Sequence, residues 1–203
     1  MADKIIIEIF KNKNADEFTS SLSDKDSRLN VGSAAAYTGA LAAALLVRAA
    51  SITSAAVEGN ERVEYILRNS GTLRTYMVHL IDEDVKSRSP LSRAIKEGDE
   101  RSIEAARQSA ACISNEIVNM MGQLLEFADE LAALAPADAF EYLGESAELA
   151  MGVIKSCMVY LISMADKCSD ETYRFVTHRE NEITLDNCNK IYESIKAKVK
   201  AEI

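Results

Sequence analysis

Proline and glycine are scarce, two and eight in 203 residues. So few breakers leave room only for short loops, and with 48% hydrophobic residues and prominent alanine, leucine and glutamate the composition points to an all-helical protein. Cysteine is sparse as well. Cys112, Cys157, Cys168 and Cys188 have neither CxxC spacing nor histidine pairs nearby, so no metal site is expected. Without a signal peptide they read as reduced thiols of a cytoplasmic protein. No basic block offsets the net charge of -9, which argues against nucleic acid and against an anionic membrane as partner. There is no repeat, no low-complexity linker, no nucleophile elbow, no P-loop and no Rossmann fingerprint. The length allows one medium domain or two small ones, with enough chain to bury a core unaided.

What the chain does have is an Ala-rich stretch from Asn30 to Val57, NVGSAAAYTGALAAALLVRAASITSAAV. It predicts a helix that starts at Gly32-Ser33, where serine can serve as cap. Apolar residues lie on nearly every face, so this helix is expected to be central and wrapped by other helices or by a partner chain. A membrane-spanning reading competes on length. Arg48, Tyr37 and several Ser and Thr interrupt the run, however, and alanine is only weakly hydrophobic. Gly39 suits close helix packing.

Residues 1–12 satisfy neither strand nor helix period cleanly. A short helix is predicted over residues 14–22, capped near Asn14 or Asp16. From Glu61 to Lys86 the positions Val63, Ile66, Leu73, Met77 and Leu80 recur three and four apart with Ser70 in the gap, and the next inward position is Asp84. Its neighbours Asp82 and Glu83 should point about 100° to either side. An acid on a buried stripe needs a reason. The plain alternative places it at an exposed helix end or against an arginine such as Arg48 or Arg74. Ser89-Pro90 reads as an N-cap followed by proline at the first helical position, and Gly98 as the stop. Residues 99–135 form the longest seam, from Ile103 to Leu134. After Pro136 a helix carrying Leu143, Ala147, Ile154 and Leu161 should lie against the Ala-rich one. Asp170 caps a final helix, expected to break near residues 181–184, while His79 and His178 read as surface residues.

The order of these features resembles the cyclodeaminase domain of formiminotransferase-cyclodeaminase and the related methenyltetrahydrofolate cyclohydrolases. The resemblance spans nearly the whole chain. It is carried by Gly32-Ser33 through Gly39-Ala40-Leu41-Ala42-Ala43, and by Leu80-Ile81-Asp82-Glu83-Asp84 followed twelve residues later by Lys96. It implies an antiparallel all-α bundle, one domain over residues 1–203, forming a homodimer and binding a tetrahydrofolate derivative without a metal. The implied activity is folate one-carbon chemistry, by cyclodeaminase or cyclohydrolase. Asp84 is the implied acid or base and Glu83 the second choice. Asn30, Gly32 and Ser33 would offer the substrate free N–H groups at a helix start, and Lys96 would meet a glutamate tail.

This sequence departs from the family pattern at several places. Asn30-Val31-Gly32 stands where three glycines are usual, so Val31 is expected at a point of close approach or positive φ. Glu97-Gly98 replaces leucine-proline, Glu141-Tyr142-Leu143-Gly144 replaces Ser-Asp-Ala-Gly, and Tyr160 and Ser163 replace asparagines. These changes support an alternative: a catalytically lapsed relative that binds folate or a small anion, or serves as a dimeric scaffold.

Overall fold

Short polar signals set the helix starts in the computed structural model, which describes residues 9–202. Asn14 accepts from the Glu17 N–H while Glu17 reaches back to the Asn14 N–H, and this capping box starts α1 (Ala15–Ser23). Asn60 caps α3 (Glu61–Ser87), Asp99 caps α5 (Glu100–Ala132), and Asp170 accepts from the Tyr173 N–H to open α7 (Glu171–Glu202). Between them lie α2 (Val31–Ala56), α4 (Ser89–Glu97) and α6 (Phe140–Ala165), the last preceded by a 3-10 turn at Ala137–Ala139. The described residues contain no strand. Residues 1–8, most of the stretch whose period was ambiguous, lie outside them; residues 9–12 are neither helix nor strand.

Several boundaries differ from the sequence reading, each for a local reason. The start of α2 is capped by Asn30, whose side chain accepts from the Gly32 N–H at 3.0 Å, and not by Ser33, whose hydroxyl is used in a tertiary contact. Ser89 does not cap α4: its hydroxyl donates to the Val85 carbonyl, and only Arg88, in helical conformation, separates α3 from α4. Gly98, at φ 74°, does end α4. The long α5 stops at Ala132, three residues early, and α7 runs unbroken through residues 181–184, where the sequence has no proline or glycine and Asn181 is buried.

α2 and α3 form a hairpin, α5 and α6 a second, and α2 packs on α3, α5 and α6. Small residues let these backbones approach. The Ser146 hydroxyl on α6 donates to the Ala42 carbonyl on α2 at 2.8 Å, and a Cβ at Gly39 would collide with the Met77 methyl. Leu46, Ile66, Met77, Leu80, Ile117, Met121, Leu124 and Leu143 fill the shared core at under 2% exposure. Each such side chain contributes roughly 1.5–3 kcal/mol by leaving water. α2 is not wrapped on every side within one chain. Val31 is 50% and Leu41 48% exposed, and Arg48 is exposed with its guanidinium over the Tyr142 ring at 4.6 Å. Two helical segments, Val31–Ala56 and Ala137–Ala165, are long and apolar enough to cross a membrane by length and composition; here they pack on each other.

Candidate functional site

The α2–α3 hairpin brings the first turn of α2 beside the last turns of α3, so Asp84 lies against Gly32. The Asp84 side chain is fully buried. A Cβ on Gly32 would come within 2.6 Å of the Asp84 Cγ and 2.9 Å of its Oδ2, so only glycine leaves room for the carboxylate there. Val31, by contrast, occupies an ordinary helical position: no non-glycine residue among those described has positive φ, and its side chain faces outward. The close approach that the family's glycines suggest is therefore made by Gly32 alone.

Asp84 accepts from the Ser33 hydroxyl at 2.9 Å through Oδ2 and from Arg88 Nε at 3.3 Å through Oδ1. Its arginine is Arg88, one turn on along α3, and neither Arg48 nor Arg74. The Ser33 hydroxyl has one proton and two acceptors in reach, Asp84 Oδ2 and, at 3.2 Å, the Ile81 carbonyl. The Arg88 guanidinium in turn lies over the Tyr160 ring at 4.1 Å, which draws α6 into the site. One turn before Tyr160, burial and then the Asp84 charge push the Cys157 thiol up to about 12, with Arg88 opposing. Cys157 is thus a neutral thiol at physiological pH and no nucleophile. Burial likewise raises the Tyr160 phenol, against the pull of Arg88, so its O–H stays intact. Arg88 Nη2 and Tyr160 Oη are buried with no hydrogen-bond partner.

Asp82 is also buried, although the helical phase puts it off the stripe. Its Oδ1 accepts from the Phe10 N–H at 2.8 Å and the Lys11 N–H at 3.3 Å, tying the N-terminal segment over α3. Glu83 turns elsewhere. It pairs with Lys86 at 2.7 Å and His79 at 3.6 Å, and the Lys86 hydrogen bond holds its carboxyl below the usual range. Lys96 is exposed on α4. The Gly32 N–H expected to be free is taken by Asn30. The structure thus joins Gly32, Ser33 and Asp84, with Asn30 at the same helix start, and leaves Glu83 and Lys96 outside these contacts. Arg88 and Cys157 were not anticipated. The i,i+4 spacing of Asp84 and Arg88 is a legible ion-pair signal, but nothing local tells which aromatic or thiol on α6 will meet it.

A cleft of about 760 Å³ lies between the start of α5 and the α6–α7 connection. Its charged groups hold that junction together: Glu104 accepts from the Ser169 and Asp170 N–H groups, and Arg107 donates to the Lys167 carbonyl. Among the described residues no three His, Cys, Asp or Glu side chains cluster as metal ligands.

The fold matches the crystal structure of a formiminotetrahydrofolate cyclodeaminase from Thermotoga maritima with a TM-score of 0.87. The match covers 94% of this chain and 98% of that one at 20% identity, a level at which likeness establishes the fold. No curated protein matches the sequence. Residues 14–183, a span that contains every residue from Gly32 to Tyr160, match the formiminotransferase-cyclodeaminase family. With an all-helical fold and most of its length accounted for in this way, the chain belongs to the formiminotransferase-cyclodeaminase family.

Proposed function

We propose that the chain is a cytoplasmic, homodimeric, folate-dependent one-carbon enzyme of the cyclodeaminase or cyclohydrolase type, a single domain over residues 1–203 with Asp84 as its acid/base. The carrying observation is the position of Asp84: a wholly buried carboxylate against Gly32 at a helix start. A cyclodeaminase closes N5-formiminotetrahydrofolate to the N5,N10-methenyl form and releases ammonia. A cyclohydrolase adds water to the methenyl form and opens it to N10-formyltetrahydrofolate. Each reaction moves a proton at the one-carbon centre, a task for a positioned carboxylate. Ser33 and Arg88 fix its orientation and Cys157 adds no competing charge. Glu83 and Lys96 stay secondary, the first held by Lys86 and the second free to meet a glutamate tail from the surface of α4.

Loss of methenyltetrahydrofolate absorbance, or ammonia release from the formimino form, measures turnover directly. Asp84→Asn is expected to lower the rate by about 10²–10⁴-fold while helical circular dichroism is retained. Equal rates in wild type and variant would remove Asp84 from the chemistry. A second reading, a lapsed relative that binds folate or a small anion or acts as a scaffold, draws support from the Arg88 ion pair, which occupies one oxygen of Asp84. Folate binding without turnover in the wild type would favour it.

A further inference from the structure

On α7 the buried positions Ile195, Tyr192 and Cys188 lead back, two turns earlier, to Asn181, so an asparagine holds a place on the stripe that packing would give to an apolar side chain. Asn181 is 8% exposed, and its Nδ2 is buried with no hydrogen-bond partner. A sealed amide without an acceptor has lost its hydration and gained nothing in return. This amide lines a cavity of about 190 Å³ between α5 and α7, with Ala111 and Leu161 buried beside it. Asn181 also borders the cleft under Phe175, but there the wall is Met158, Ile162 and Leu185. The charged groups of that cleft are taken, His178 by Asp166 and Arg179 by Glu182, so the open hydrogen-bonding partners lie on the α5 side.

The chemistry around the cavity is largely neutral. α5 contributes the Gln108 and Asn115 amides, and α7 the Thr177 hydroxyl and the Tyr173 phenol, which burial keeps protonated. Among the described residues no lysine, arginine or histidine lines it, and Glu180 at its mouth is acidic, so an anion meets no counter-charge. A purely apolar guest would leave Asn181 unpartnered. The volume lies below the roughly 300 Å³ at which pockets for drug-sized molecules begin, which excludes a folate or a nucleotide. We infer that this cavity is a second ligand site, for a flat neutral heterocycle carrying a carbonyl and an N–H on its edge, the chemistry of a free nucleobase. The carbonyl accepts from the Asn181 amide, which a half-turn about its terminal torsion presents to the cavity. The ring N–H donates to the Gln108 or Asn115 oxygen, and side-chain amides read base edges in this two-way fashion. The cavity shares no residue with the Asp84 site and does not depend on the folate reading.

Two-dimensional amide NMR of the purified full chain, titrated with hypoxanthine and separately with indole, tests this. Indole has the same bicyclic shape and an N–H but no carbonyl. Hypoxanthine should shift the signals of residues 108–115 and 173–181 saturably, and indole should bind about tenfold more weakly, the worth of one hydrogen bond. Asn181→Leu should weaken hypoxanthine by about the same factor with the melting temperature unreduced, because an apolar side chain of similar size replaces an unpartnered amide. If that variant fails to fold, Asn115→Ala, at an exposed position, decides: it should weaken hypoxanthine by about two- to tenfold with helicity kept. An asparagine that only sets helix register, or a cavity that holds only water, predicts no saturable response to hypoxanthine. That result, equal affinity for indole, or variants that bind as the wild type does, overturns the site and leaves the folate reading standing.

Discussion

Two carboxylates two residues apart in α3 are both buried, yet they do unrelated work. Asp82 receives backbone N–H groups of Phe10 and Lys11 and so holds a segment in place, while Asp84 faces a hydroxyl, a guanidinium and the bare Cα of Gly32. The glycine contact is the more exacting. Gly32→Ala has no strain in φ, since residue 32 is helical, but its methyl must displace a carboxylate tethered on both oxygens. The expected loss is about 1–3 kcal/mol of stability, as for other overpacked cores. Turnover should fall more steeply than stability, because the displaced group is the proposed acid/base. Urea denaturation and a turnover assay on the same preparation check both. An alanine variant with wild-type rate would show that the carboxylate position is not critical. At this scale the sequence reveals Asp84 through its phase on the stripe and Gly32-Ser33 through the resemblance. It does not reveal Asp82, because burial there comes from a segment folding over the helix from 71–72 residues away.

Among the elements, α2 carries aliphatic residues on its open side as well as its buried one. Alanine and Gly39 let α3 and α6 come close on one side, while Val31, Leu41 and Arg48 stay exposed on the other. Burying this stripe against a second copy is the element-scale content of the proposed homodimer, and it is consistent with aliphatic residues where a surface helix would carry charge. Light scattering should give a mass of twice 22.2 kDa for the wild type. Leu41→Asp should shift it toward the single-chain value with helicity kept. A wild-type mass of one chain would remove the dimer from the proposal. The same element explains why the sequence suggested a helix wrapped all round: composition reports how apolar each face is, not which chain covers it. The α3–α4 junction is the converse case, where Ser89-Pro90 carries the signature of a fresh cap but the Ser89 hydroxyl turns back to Val85 and the helices nearly fuse.

For the molecule as a whole, buried acids that ionise only at high pH set an alkaline limit. Burial chiefly pushes the Cys157 thiol and the Tyr192 phenol up to about 12, from ordinary values of 9.0 and 10.0, and raises Cys168, Cys188, Tyr160 and Tyr173 in the same direction. The unfolded chain releases these protons at ordinary values while the native protein retains them. Above that point the unfolded state binds fewer protons, so stability falls as pH rises. The contribution is complete below the ordinary thiol value of 9.0 and is lost progressively toward 12. Urea midpoints should hold steady from neutrality to that point and then decline across the alkaline range. A flat profile through pH 11 would contradict the burial of these groups.

The sequence by itself determined the helices, their approximate ends and the inward turn of Asp84, because capping, breaker scarcity and a 3.6-residue period all act within a few residues of each other; the family came from the resemblance of its motifs. Only the tertiary structure decided what surrounds that carboxylate. Gly32, Arg88 and Tyr160 meet because three helices cross at one point, and contacts between residues tens of positions apart depend on helix direction and spacing that no local pattern encodes.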